Sequence, residues 1–166
     1  VVDCDRFVAV GDEDLLDNFE GEKIDLEGKT VIPGFIDAHI HVWKVGSLIT
    51  HILDVRGFTS IAQIIEALKT FDKANPNLKW IVARGFNESN LVENRMPTAS
   101  DLDEVSATKP IFLQRTCAHI AVINTVGLSI SKIDSLTHTP QGGEIKLNAN
   151  GQPNGILCET AMGLAT

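Results

Sequence analysis

Two histidines one residue apart, His39 and His41, carry the most specific chemistry in this 166-residue chain. Asp37 precedes them at the same spacing, in Asp37-Ala38-His39-Ile40-His41. Successive side chains of a β-strand point to opposite faces, so on a strand Asp37, His39 and His41 share one face. Ile36, Ala38, Ile40 and Val42 then share the other, an apolar face suited to packing against helices. Residues i and i+2 of a strand lie roughly 6.5–7 Å apart at Cα. Two imidazoles at that spacing can converge on one ion, at nitrogen-to-metal distances of about 2.0–2.1 Å for zinc. Iron, manganese and nickel also accept imidazole. The pair therefore specifies a divalent metal more firmly than its element, and zinc is the first expectation.

The elements that must hold this pair follow from pattern and punctuation. Val1-Val2 and Arg6 to Val10 read as short strands, and Asp12 to Phe19 as a helical turn or two. Lys23 to Leu26 and Thr30 to Ile32 are again strand-like, giving a β-rich lead-in to the turn at Pro33-Gly34. Trp43 to Leu53 is ambiguous. Ile61, Ile64, Ile65, Leu68 and Phe71 then form the apolar stripe of an amphipathic helix, opened by Ser60-x-x-Gln63 and closed at Asn75-Pro76-Asn77. Trp80 to Ala83 reads as a buried strand, Thr98-x-x-Asp101 as the start of a short helix over Asp101 to Val105, and Pro110 to Arg115 as the next strand. Ile120 to Leu128 reads as a helix. Asn148-Ala-Asn-Gly151 marks a hairpin turn, and Gly155 to Ala161 the entry to a further helix. Strands alternating with helices predict an α/β fold with a parallel sheet.

Composition excludes several classes. Hydrophobic residues make up 43% and charged residues 22%, ordinary values for a soluble globular protein. The charge of 14 − 22 = −8 disfavours nucleic acid and anionic membranes as partners. The longest apolar runs fall far short of the ~20 residues of a membrane span. No secretory signal is recognisable, and Cys4, Cys117 and Cys158 are odd in number, with no Cys-x-x-Cys. The expectation is a cytoplasmic protein without a disulfide framework, its thiols acting as small hydrophobes. The chain lacks an initial Met, as a piece of a longer protein would.

Pro33-Gly34-Phe35-Ile36-Asp37-Ala38-His39-Ile40-His41 resembles the first barrel strand of the amidohydrolase superfamily of metal-dependent hydrolases. Arg84 to Glu88, Arg95-Met-Pro97-Thr98, Asp101-Leu-Asp103, His119-x-x-x-x-Asn124, Gly142 to Ile145 and Gly155-Ile156-Leu157-x-Glu159 are similar to one branch of it. That branch includes N-substituted formamide deformylases. The resemblance implies a (β/α)8 TIM barrel with its site at the C-terminal strand ends. A barrel alone takes ~250 residues. The chain would then hold part of a small composite β-sandwich (1–32) and the first β/α units of an incomplete barrel (33–166).

The resemblance makes His39 and His41 ligands of one or two metal ions, zinc first. Asp37 would support an imidazole from behind, and His119, after a strand end, would contact substrate. The bridging ligand, two further histidines and the catalytic aspartate would lie downstream, so Glu159 is a weak metal candidate, and Arg115 reads as an ion-pair residue. The implied reaction is hydrolysis of a non-peptide carbon–nitrogen bond in a small amide-like molecule by metal-activated water, and the chain is compatible with a homo-oligomer. Two alternatives stand beside this. One is an incomplete, inactive chain that binds metal weakly. The other is a cupin-like His-x-His protein, disfavoured because no acid follows His41 between Trp43 and Ile52.

Overall fold

A computed structural model describes residues 1–38 and 42–165. The chain falls into two compact units, Val1–Ile40 and His41–Thr166. In the first, β1 (Val2–Asp3) pairs antiparallel with β2 (Arg6–Phe7), Val2 opposite Phe7. The Val1 ammonium donates to the Ala9 carbonyl at 2.6 Å, and a 3-10 helix spans Glu13–Asn18. The strands expected over Lys23–Leu26 and Thr30–Ile32 do not form, and Val31 to Ala38 is not a strand either. Alternation supplies a pattern, but a strand also needs a neighbour for its N–H and C=O groups. No described segment pairs with these residues, and Phe35 and Ile36 are 92% and 93% exposed.

The second unit is mixed α/β. It runs α1 (Val42–Thr50), β3 (Leu53–Asp54), α2 (Ile61–Ala74), β4 (Ile81–Phe86), α3 (Ala99–Asp103), β5 (Ile111–Arg115), β6 (Ile120–Ile123), α4 (Thr125–Ile130), β7 (Gly143–Leu147) and β8 (Pro153–Glu159). Short 3-10 turns follow β4 and β8. The six strands form one sheet in the order β3-β4-β5-β6-β8-β7. Helical crossovers make β3, β4 and β5 parallel, while β6, β8 and β7 continue the sheet antiparallel through tight turns.

The stripe on α2 does what its spacing predicts. Ile61, Ile64, Ile65 and Leu68 are buried against Ile81, Ala83, Ile111 and Leu113 on one face of β4 and β5. Burying one such side chain contributes roughly 1.5–3 kcal/mol. Ser60 Oγ accepts the Gln63 N–H at 3.2 Å, while Gln63 Oε1 accepts from the Thr59 N–H at 2.8 Å, one residue earlier than a capping box would place it. Thr98 and Asp101 do form the reciprocal box, and Arg95 clamps the same Asp101 carboxylate at 2.7 and 2.8 Å.

The expected helix over Ile120–Leu128 is half strand. Ile120–Ile123 is β6 and the helix begins only at Thr125, because Asn124 caps it and the apolar run before it is buried between β5 and β8. Gly155 to Glu159 is likewise strand, with a 3-10 turn starting at Thr160. The ladder to β6 and β7 satisfies both edges of that segment, which a helix could not do. No helix among the described residues is long and apolar enough to cross a membrane.

Candidate functional site

His39 and His41 lie outside the described residues. Asp37 lies in exposed coil of the first unit, not on a strand. Val42 opens α1 instead of ending an extended run, and is 66% exposed.

The structure brings together a different set at the C-terminal end of β5. Arg115, the last residue of that strand, holds Glu88 in a two-pronged pair, Nε to Oε2 at 2.7 Å and Nη2 to Oε1 at 2.8 Å. This bears out its ion-pair reading. Arg115 holds the Glu88 carboxyl below its usual range, and Glu88 holds the guanidinium charged even more firmly than usual. The chain then turns through Thr116, Cys117 and Ala118, with Ala118 at φ 63° and its N–H bonded to the Arg115 carbonyl at 2.9 Å. Partial burial pushes the Cys117 thiol up. Hydrogen bonds from Arg115 and from the His119 N–H, at 3.5 Å, outweigh it and leave the thiol below its ordinary value.

His119 follows directly. Its Nδ1 lies 2.9 Å from Glu159 Oε2, and hydrogen bonding to that carboxylate raises the imidazole pKa. The Glu159 N–H donates to the His119 carbonyl at 2.8 Å, so the two residues are joined by backbone and side chain. Sequence reasoning considered His119 and Glu159 separately and missed the pair, because the link depends on β6 and β8 being neighbours. It also grouped Cys117 with buried apolar thiols. The signal was present in Arg115 two residues before it. Cys158, by contrast, is pushed up by desolvation.

A cleft of about 350 Å3 opens on the sheet face opposite α2. Trp43, Ser47 and Leu48 of α1 wall it on one side, and Val82, Arg84 and Gln114 of β4 and β5 on the other. This volume is in the range of small-molecule sites. A larger hollow, about 600 Å3, lies in the first unit, but its wall over Phe19–Asp25 is coil with no ladder to fix side chains where chemistry would need them. Among the described residues no three His, Cys, Asp or Glu side chains converge as a metal site.

Comparison with known proteins gives this arrangement a context. The model of the amidohydrolase family matches residues 22–166. The putative amidohydrolase YtcJ of Bacillus subtilis is 34% identical over 87% of the chain, and the N-substituted formamide deformylase of Arthrobacter pascens 33% over 87%. The exoenzymes regulatory protein AepA of Pectobacterium carotovorum is 34% identical over 98%. The chain spans 27%, 27% and 37% of those three proteins, well under half of each. Crystal structures of uncharacterised metal-dependent hydrolases from Pyrococcus furiosus and Pyrococcus horikoshii are each 28% identical. They superpose with TM-scores of 0.55 and 0.57 over 99% and 92% of this chain and 31% and 27% of theirs.

Proposed function

Because the chain belongs to the amidohydrolase family, we propose that its protein is a metal-dependent hydrolase cleaving carbon–nitrogen bonds in small amide-like substrates. One observation carries this reading: the family match spans residues 22–166 and so includes Asp37-Ala38-His39-Ile40-His41. The names of the deformylase and the putative amidohydrolase among its relatives point the same way.

The donor chemistry of His39 and His41 suits a divalent ion, with zinc first, because neutral imidazoles bind such ions through one ring nitrogen. A two-histidine set leaves the ion short of ligands, and the described residues add no cluster to complete it. His119 and Glu159 are already paired with each other through Nδ1 and Oε2. One or two ions would therefore take their remaining ligands from chain beyond these residues. Such an ion, when bound, acidifies water and polarises a carbonyl. In this reading His39 and His41 fix the ion's position, Asp37 orients an imidazole, and His119 meets substrate at the rim beyond β5. The parallel strands β3, β4 and β5 are the first barrel strands after the His-x-His segment, residues 33–166 belong to that barrel, and residues 1–32 contribute to a β-sandwich. The protein acts in the cytoplasm on a small molecule, without nucleic acid or membrane as partner, and a homo-oligomer fits the same reading.

The test is metal content and turnover in the full-length protein. Wild type should carry one or two zinc equivalents and release formate from N-formyl amines or a close amide analogue. His39→Ala and His41→Ala should lose both the metal and the activity. Full metal content in the two variants would remove the assignment. A second reading, a regulatory protein without turnover, is favoured by the name of AepA. Bound metal without hydrolysis of any amide would select it.

A further inference from the structure

His119 and Glu159 meet at the end of the sheet where β5 finishes. β6 runs antiparallel to β5, and β8 antiparallel to β6, so β5 and β8 end on the same side. In a (β/α)8 barrel that side carries the chemistry. The imidazole is held through one nitrogen: Nδ1 lies 2.9 Å from Glu159 Oε2, and Nε2 has no hydrogen-bond partner among the described residues. Both side chains are more than half exposed, so Nε2 is open to a small molecule.

The backbone at Glu159 is strained. It sits at φ 52°, ψ −126°, a conformation that glycine adopts freely and other residues avoid. Its N–H donates to the His119 carbonyl at 2.8 Å, and the Thr160 hydroxyl next to it donates to the Gln141 carbonyl at 2.8 Å. Glycine would fit this turn with less strain, so the carboxylate is what the glutamate adds there. Arg115 is closed on Glu88 and does not compete for it. Hydrogen bonding and charge from Glu159, with a smaller contribution from Cys117 in the same turn, favour the imidazolium.

We propose that His119 is the proton donor to the leaving nitrogen of the hydrolysed carbon–nitrogen bond, and that Glu159 is the residue that positions it. This rests on the hydrolase function proposed above. As oxygen from water joins the carbonyl carbon, the carbon–nitrogen bond breaks and its electron pair passes to nitrogen, which takes the Nε2 proton. The proton lost by the water goes to solvent, and the neutral imidazole regains one from the same pool. An alkyl amine departs poorly as an anion, so such a donor contributes most where the nitrogen is basic.

The experiment is steady-state hydrolysis by the full-length protein of N-benzylformamide and of 4-nitroformanilide. The nitro-substituted ring of the second takes up charge from the nitrogen and lessens its need for a proton. His119→Gln should lower kcat on N-benzylformamide about 100-fold or more, with KM little changed, and on 4-nitroformanilide less than about tenfold. Glu159→Gln should lower kcat on N-benzylformamide about tenfold and move the alkaline limb of its pH profile to lower pH, since the imidazolium loses its partner. The position of that limb does not depend on how much of the variant folds. Both variants should keep the metal content of wild type. Equal losses on the two formamides, an alkaline limb that stays in place, or loss of metal in Glu159→Gln, which would make the carboxylate a ligand, would each overturn the proposal. Each of these leaves the hydrolase reading standing as long as wild type turns over. Formate release from neither substrate by wild type would remove that reading and the proton-donor role with it.

Discussion

His119 Nδ1 and Glu159 Oε2 meet at 2.9 Å across a sequence separation of 40 residues, tying the residue before β6 to the last residue of β8. The pair sits at the same sheet end as the Arg115–Glu88 clamp, and both side chains are more than half exposed.

Glu159 raises the His119 pKa above its ordinary 6.5, so the imidazolium is favoured in the folded protein. The resulting stability is fully present below about pH 6.5 and is lost as pH rises through the raised folded value. Glu159→Gln should bring the His119 pKa, followed by NMR, back toward 6.5 and flatten the fall in stability as pH rises above that value. An unchanged titration would show that the carboxylate does not set it.

Glu88 gives the opposite pH dependence. Its carboxyl is held below the usual 4.5 by Arg115, so its contribution is present above that value and disappears as pH falls through the folded pKa. Glu88→Gln should cost on the order of 1 kcal/mol at pH 7 by urea unfolding, and much less at pH 3.

Cys117 and Cys158 should differ in reactivity, because thiolate is the nucleophile and the two thiols shift in opposite directions. Peptide mapping after a limited pulse of iodoacetamide at pH 7.5 should find Cys117 modified well ahead of Cys158. Arg115→Gln should slow Cys117 selectively.

Asn124 is fully buried, and every polar group on its side chain is matched. Oδ1 accepts from the N–H of Ile111 at 3.0 Å and of Gly127 at 2.9 Å, while Nδ2 donates to the carbonyls of Lys109 at 3.0 Å and Ser106 at 3.3 Å. It therefore caps α4 and fixes the start of β5 together. Asn124→Ala leaves those groups buried without partners and should cost roughly 2–4 kcal/mol in chemical denaturation. Asn124→Asp keeps the accepting half but faces a carboxylate with two carbonyls, and should be at least as damaging.

Gly155 has φ +92°, and a Cβ there would stand 2.3 Å from the Ile123 carbonyl oxygen and 2.9 Å from Ala99 Cβ. Gly151, with φ +74°, has open space around it. Gly151→Ala should thus lose only the backbone penalty of about 1–2 kcal/mol, and Gly155→Ala clearly more, read as the difference in denaturation midpoints. Equal losses would mean that the close approach of β8 to Ile123 contributes nothing.

Much of the second unit was legible because its signals are local. The stripe on α2, the box at Thr98 and Asp101, the strand at Pro110–Arg115 and the hairpin turn at Asn148–Gly151 all depend on neighbours within a few residues. Ile120–Ile123 and Gly155–Glu159 were misread because short apolar runs suit helix and strand alike, and only the adjacent strands decide. Asn124 was the missed punctuation, a cap that dates the helix to Thr125. In the first unit the same local reading overreached, since alternation at Lys23–Leu26 and Thr30–Ile32 had no partner to make a ladder. The site was legible in part: Arg115 was assigned its ion pair, but His119 and Glu159 meet only through tertiary pairing. His39 and His41, the firmest chemistry in the sequence, lie outside the described residues.

The switch from parallel to antiparallel at β5 sets an order of assembly. β5 meets β6 across the turn at Thr116–His119, and β7 meets β8 across Asn148–Gln152, so these pairings close small loops. β3, β4 and β5 can join in register only after the chain has travelled through α2 and α3, at a larger entropy of closure. The hairpins should then nucleate first and present the edge of β5 as a template, with the α2-covered strands added last. The Arg84 cleft, lined from α1, β4 and β5, would be among the last features to take shape.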